Sequence, residues 1–267
     1  MKIIILLVLI LVAYGIIENT LVLTVRHEDL GGNIRAVHIS DIHKRRFGRD
    51  NLRICRVVQR ESPDVIFITG DLVSRTSVDF ETVYRFLIKL CTIAPVYMIF
   101  GNHEQSLPDD MQMQFIEMLG RTDVILLRNR TVNTELHGRS VNISGFEPSY
   151  TVYKKENSYR DLDVVEVSDV NRALGDCPSG VDIMLAHSPF FADAVSQWGA
   201  DFILSGHVHG GAVRIPFTRI GLLSPERKFL PKYSVGVYTV GKTKLLLSAG
   251  LGKLRLFDPP EIVVYKM

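Results

Sequence analysis

IRAVHISDIH, residues 34–43, is an apolar run that stops abruptly on two reactive side chains, Asp41 and His43. Its β-branched and aliphatic residues, bounded by turn formers, predict a buried strand over 34–40. The same grammar recurs along the chain. DVIFITGD (64–71) runs into Asp71, PVYMIFGNHE (95–104) into Asn102 and His103, and VDIMLAH (181–187) into His187. A fifth run, ADFILSGHVHG (200–210), ends in His207 and His209. Layered α/β sheets gather ligands at the carboxyl ends of their strands, so these side chains are expected to converge on one crevice.

Between the first strands, residues 50–61, 79–92 and 109–119 place apolar side chains at helical spacing, with helix starts at Asp79 and at Pro108–Asp109. A further strand is predicted at DVILLRN (123–129). The second half is richer in strands: TVNTEL, SVNISGF, VGVYTVG, TKLLLSA and EIVVYK join the two already quoted, with Gly241 in a hairpin turn. A polar stretch, EPSYTVYKKENSYRDLD (147–163), reads as a solvated loop. Alternating strands and helices imply βαβ units, hence an α/β chain with a layered sheet covered by helices. Neither a repeat nor a low-complexity linker divides residues 27–267, which are expected to form one catalytic domain.

The composition narrows the class. Apolar residues make up 46% of 267 residues, enough for a substantial core. With 31 basic and 29 acidic residues the net charge is +2, which gives no reason to expect bulk nucleic-acid binding. Cys55, Cys91 and Cys177 are odd in number and far apart, so no disulfide framework or zinc knuckle is read from them.

Residues 1–26 differ in kind. KIIILLVLILVAYGII is uninterruptedly apolar from Ile3 to Ile17, is broken by Glu18 and Asn19, and resumes as TLVLTV. Continued through Val25, it reaches the ~20 residues that a bilayer core requires. Glu18 and Asn19 then need an interfacial or partner-facing position. We read an uncleaved single-pass membrane anchor. The competing reading is a secretory signal peptide, because Ala13-Tyr14-Gly15 has a small-x-small form. Lys2 ahead of the span gives a slight bias towards an extracytoplasmic domain.

The strand-end residues have the chemistry of a metal site. In extended backbone, positions i and i+2 share a face, so Asp41 and His43 can reach a common ion, and His207 and His209 are spaced likewise. Carboxylate, imidazole and amide ligands without thiolate suit manganese, iron or zinc. Each residue alone has an ordinary explanation: a helix cap for Asp41, a turn for Gly70–Asp71, a left-handed backbone for Asn102, a satisfied core histidine for His187. Five such coincidences at five strand ends are not credible. His38 lies inside a strand, and His27 and His137 lack this context, so all three are left out.

In this order, DIH, GD, GNHE, a lone His and GHVH resemble the five signatures of the calcineurin-like metallophosphoesterase family, over about residues 34–265. The anchor, GHVHGG, VRIPF and the late AGLG before PPEI are most similar to its bacterial membrane-anchored branch, which includes UDP-2,3-diacylglucosamine pyrophosphatases and related cell-envelope phosphoesterases. The resemblance implies a β-sandwich of two mixed sheets flanked by helices and preceded by the hydrophobic N-terminal helix. It implies two divalent ions, manganese foremost, with iron or zinc as alternatives. Asp41, His43 and His209 would hold one, Asn102, His187 and His207 the other, and Asp71 would bridge them. Two histidines one residue apart would thus serve two ions only ~3.5–4 Å apart. His103 would contact the phosphate and assist the leaving group. As a neighbour of Asn102 in extended chain, it would point away from that residue's ion.

Lys44, Arg45 and Arg46 follow DIH and are candidates for holding phosphate oxygens, as is Arg75. One departure from the family pattern is Ser74, where many relatives carry an acidic residue. The implied reaction is hydrolysis of a phosphoester or pyrophosphate by a metal-bound hydroxide. The expected partner is a phosphorylated substrate, lipid-linked in the anchored branch. The rival class is a membrane-tethered binding module without turnover, against which stand seven filled ligand positions and His103.

Overall fold

The computed structural model describes residues 2–155, 158, 161–211, 213–216, 218–223, 229–253 and 255–267. Residues 156, 157, 159 and 160 of the polar stretch, and Phe217 of VRIPF, lie outside the described residues. Helix α1 (Lys2–Thr20) comes first, then strand β1 (Thr24–Asp29). Strands β2 (Arg35–Ile39), β3 (Val65–Ile68), β4 (Val96–Met98) and β5 (Ile125–Leu126) alternate with helices α2 (Leu52–Glu61), α3 (Glu81–Cys91), α4 (Asn102–Gln105) and α5 (Asp109–Leu119). The second half runs β6 (Arg130–Leu136), β7 (Arg139–Phe146), α6 (Val167–Leu174), β8 (Val181–Ala186), α7 (Ala192–Trp198) and β9 (Phe202–Ser205). It ends with β10 (Gly236–Val240), β11 (Thr243–Leu247) and β12 (Glu261–Lys266).

Two mixed six-stranded sheets result, in the orders β1-β12-β2-β3-β4-β5 and β10-β11-β9-β8-β7-β6. Strands β2 to β5 are parallel, as are β7, β8, β9 and β11. The two-residue period of a strand explains how the sheets pack. Val65 and Phe67 face the layer between the sheets, where they meet Ile183, Leu185 and Leu204, while Ile66 and Ile68 face α2, α3 and α5 on the outside. In β8, Ile183 and Leu185 point to the inner layer, whereas Met184 and Ala186 pack against α6 and α7. With both faces buried these strands read as continuous apolar runs.

The N-terminal expectation needs one correction. The helix stops at Thr20, and Thr24–Asp29 pair in parallel with Glu261–Lys266, so TLVLTV does not prolong the helix to Val25. Its β-branched residues supply a sheet edge, and the sheet begins before residue 27. Glu18 and Asn19 face protein: Glu18 is buried, and the Asn19 amide donates to the Arg255 carbonyl at 2.6 Å and accepts the Arg255 N–H at 3.0 Å.

Candidate metal centre

Strand register brings the site together. Ile39, Ile68 and Met98 are aligned across β2, β3 and β4, so Asp41, Asp71 and Asn102 emerge from neighbouring strand ends. In the other sheet, His187 leaves β8 and His207 leaves β9, and the Gly206 N–H donates to the His187 carbonyl at 2.9 Å. A Cβ on Gly206 would collide with Ser40 and Asp41, and one on Gly101 with Asp71, so both positions require glycine for close approach.

Beyond the strands the backbone is not extended. Asp41, His43, Asp71, His207 and His209 all have positive φ, between 49° and 70°. Extended-chain i, i+2 geometry therefore does not aim Asp41 and His43, or His207 and His209. Tight left-handed turns aim them, a conformation that aspartate and histidine tolerate better than bulkier residues but that still costs about 1–3 kcal/mol per residue. Likewise Asn102 and His103 open helix α4, so helical rotation separates their side chains, not strand alternation.

The side chains meet around Asp71. Its Oδ1 accepts the His103 backbone N–H at 2.8 Å, while Oδ2 faces three imidazoles: His187 Nε2 at 3.5 Å, His43 Nε2 at 3.8 Å and His103 Nε2 at 4.0 Å. On one side lie Asn102 Oδ1, His187 Nε2 and His207 Nδ1, separated pairwise by 3.0–3.1 Å. On the other lie Asp41, His43 and His209, with His209 Nε2 4.0 Å from Asp41 Oδ1. His103 completes a third group with His43 and Asp71.

The donor set fits cations. His187 donates Nδ1–H to the Thr69 carbonyl at 2.7 Å, so a neutral ring would set a lone pair on Nε2 against the Asn102 oxygen, acceptor to acceptor. Among the described residues, buried His43 Nδ1 has no hydrogen-bond partner. Burial opposes charge on His187, yet Asp71 and Asp41 push it up to about 9, so a proton takes up the positive charge this cluster demands. Burial also opposes charge on Asp71, but His187, His43 and His103 hold its carboxyl well below the usual range. Burial pushes His209 down to about 3 despite Asp41, which keeps its imidazole neutral, the form that binds a metal.

A supporting shell escaped sequence reasoning. Glu104, fully buried, accepts the N–H groups of Asp71 at 2.8 Å, Gly101 at 2.9 Å and Val73 at 3.1 Å. It thereby clamps two ligand loops together. Its burial beside Asp71 pushes it up to about 7. The signal was present in GNHE, where an acid three residues beyond Gly101 has capping-box spacing. Ser40 donates to Asp41 at 2.6 Å, and the Arg255 guanidinium stands 3.4 Å from His209 Nδ1. Nothing in the sequence around Arg255 announced it. His38 is a core histidine bonded to Thr69 at 2.7 Å, while His27 and His137 pair with Glu61 and Asp64 away from the site.

The basic candidates separate. Arg45 is buried and donates to the Gly252 carbonyl at 2.8 Å, so it holds backbone while still lining the cleft beside His43. Lys44 and Arg46 are exposed on a cleft of about 260 Å³ beside His43. Arg75 flanks His103: its N–H lies 3.3 Å from Nδ1 and its guanidinium 3.1 Å from Nε2. Burial, with His43 and Arg75 nearby, outweighs Asp71 and pushes His103 down to about 4.

Comparison with known proteins agrees with this geometry. The calcineurin-like phosphoesterase family model matches residues 34–211. An uncharacterized metallophosphoesterase of Aquifex aeolicus is 25% identical over 88% of this chain and 85% of its own. Phosphodiesterase YaeI of Escherichia coli is 23% identical over 90% and 84%, and UDP-2,3-diacylglucosamine pyrophosphatase LpxG of Chlamydia muridarum 24% identical over 87% and 83%. The crystal structure of TT1561 from Thermus thermophilus superimposes with a TM-score of 0.51 at 10% identity, covering 82% of this chain and 90% of that one, which shows a shared fold. With its signature residues gathered at the strand ends of a two-sheet sandwich, the chain belongs to the calcineurin-like phosphoesterase family and is a hydrolase acting on phosphoesters.

Proposed function

We propose that this chain is a membrane-anchored, two-metal hydrolase of a phosphoester or pyrophosphate whose substrate carries a lipid. The observation that supports it best is the single carboxylate oxygen of Asp71 facing imidazoles from both halves of the cluster. Asp41, His43 and His209 would hold one ion and Asn102, His187 and His207 the other, with Asp71 shared. When bound, such ions lower the pKa of a coordinated water and neutralise charge on the phosphoryl oxygens. Manganese is the favoured metal, with iron or zinc as alternatives of similar ligand chemistry.

The chain's own groups do the rest. A neutral His103 ring accepts from the Arg75 backbone at Nδ1 or from its guanidinium at Nε2, but not from both. A phosphoryl oxygen that draws the guanidinium away would leave the backbone bond in place and turn an Nε2–H towards the substrate. Arg75 and His103 thus act as one phosphate-binding pair, with Lys44 and Arg46 beyond them. To deliver a proton to the departing oxygen, His103 must first be protonated on both nitrogens, which breaks the Arg75 N–H bond at Nδ1 and is favoured by the negative charge of Asp71 and of the bound phosphate.

The lipid part of the reading rests on α1. Its 19 residues span ~28 Å at 1.5 Å per residue, close to a hydrocarbon core, and apolar residues 3–6, 9–12, 16 and 17 are exposed. The pyrophosphatase relative named above supports the same substrate class. The test is a substrate screen of the manganese-loaded full chain in detergent, with nucleotide-sugar lipids, phospholipids and model phosphodiesters. Preference for lipid-bearing esters is expected. Turnover of water-soluble diesters alone would favour a cell-envelope phosphodiesterase of other substrate.

A further inference from the structure

The segment that follows the GHVHGG loop has its own pattern of exposure. Ile215, Ile220, Leu223, Phe229 and Leu230 are between 37% and 71% exposed. Single exposed apolar residues are ordinary, but these five are tied together by backbone pairing. The Ile215 N–H donates to the Ile220 carbonyl at 2.9 Å, Leu223 pairs antiparallel with Phe229, and the Leu230 N–H donates to the Leu222 carbonyl at 3.0 Å. They form one apolar rim.

That rim is fastened to two things. The Leu223 N–H donates to the Gly211 carbonyl at 3.1 Å, two residues from His209, so the rim borders the metal centre. Val213 pairs with Leu256, and the Arg214 N–H donates to the Leu256 carbonyl at 3.0 Å. The same short stretch receives the end of α1: Asn19 makes its two hydrogen bonds with the Arg255 backbone, and Tyr14 stacks on Phe257 with ring centroids 5.2 Å apart. Anchor helix, Leu256 strip and rim are therefore one connected piece beside His209.

We infer that the rim formed by Ile215, Ile220, Leu223, Phe229 and Leu230 is a second membrane contact, which seats the metal cleft against the lipid surface that holds α1. This rests on the anchor reading. A bilayer around α1 ends near the base of that helix, where Asn19 and Tyr14 meet the strip of residues 255–257 that pairs with Val213 of the rim segment. Immersing five such side chains is favourable at about 25 cal/mol per Å² of apolar area. A substrate whose phosphate sits at headgroup level would then reach the site without leaving the membrane.

The test uses the full chain in phosphatidylcholine–phosphatidylglycerol vesicles with brominated acyl chains. Single tryptophans are introduced by Ile220→Trp and Phe229→Trp, by Tyr14→Trp in the anchor, and by Val181→Trp. Val181 begins β8, at the end of that strand away from His187. The buried native Trp198 is subtracted as background. Thermal melting confirms folding. Quenching at 14, 220 and 229 but not at 181 is expected. Quenching at 14 alone would overturn the rim contact and leave the anchor standing, and quenching nowhere would overturn both. A concentration-dependent dimer that shields 220 and 229 from lipid would assign the rim to a second copy and likewise overturn the inference. As an independent measure, the full chain with Leu223→Asp and Phe229→Asp should hydrolyse a vesicle-borne ester several-fold more slowly than wild type, with a soluble ester unaffected. Equal rates on the vesicle-borne ester would also sink it.

Discussion

Nε2 of His187 stands 3.0 Å from Oδ1 of Asn102, and once His187 donates Nδ1–H to Thr69 neither atom of a neutral pair has a hydrogen to offer the other. A cation is what such an arrangement is built for. Asn102→Ala is expected to release one of two ions and to slow hydrolysis by on the order of 10²-fold or more. Metal analysis after reconstitution, paired with steady-state rates, checks this. An Asn102→Ala enzyme with full metal content and normal rates would remove Asn102 from the ligand set.

Glu104 should matter without touching a metal. Glu104→Ala leaves three buried N–H groups without their acceptor, each worth about 1–3 kcal/mol. A marked fall in melting temperature and weaker metal retention are expected, with Glu104→Gln intermediate because one amide oxygen still accepts. A melting temperature unchanged in Glu104→Ala would show that the clamp is idle.

How much of this was legible beforehand depended on what each residue needed. The strand-end ligands could be read because apolar strands halting on Asp, His or Asn are rare and ordered. Strand β1 could not, because TLVLTV abuts an apolar helix and hydropathy alone does not separate the two. Nor could the left-handed turns at Asp41, His43, Asp71, His207 and His209, since positive φ outside glycine is imposed by packing. The burial of Arg45, and the meeting of Arg255 with His209 across 46 residues, depend on tertiary contacts that leave no local pattern.

His103 is expected to act on the leaving group. His103→Ala should bind two metals as wild type does, yet hydrolyse alkyl phosphodiesters more slowly by ~10²–10⁴, the usual worth of proton delivery. With a p-nitrophenyl ester, whose leaving group is stable as an anion, the loss should be much smaller. Equal losses on both would make His103 a phosphate-positioning residue only. A lost metal would make it a ligand.

Asp182 offers a stability test away from the centre. Burial, reinforced by Asp201 and only partly offset by the Ser144 hydroxyl, pushes its carboxyl up to about 6. The folded state therefore binds more protons than the unfolded chain between about pH 4 and 6, and stability declines as pH rises through that window. Asp182→Asn should remove the decline. Its melting temperature should exceed wild type at pH 8, by an amount on the order of 1–3 kcal/mol in stability, and the gap should close towards pH 4. A gap independent of pH would contradict the buried-charge explanation.

The central claim is that Asp71 is shared between two metal ions. The most direct measurement is metal stoichiometry and hydrolysis of the manganese-reconstituted full chain, wild type beside Asp71→Asn. Wild type should hold two ions per chain. Asp71→Asn keeps the shape but removes the negative charge that faces His43, His103 and His187. It should lose the second ion and nearly all turnover. Two ions and undiminished hydrolysis in Asp71→Asn would contradict the shared-carboxylate site.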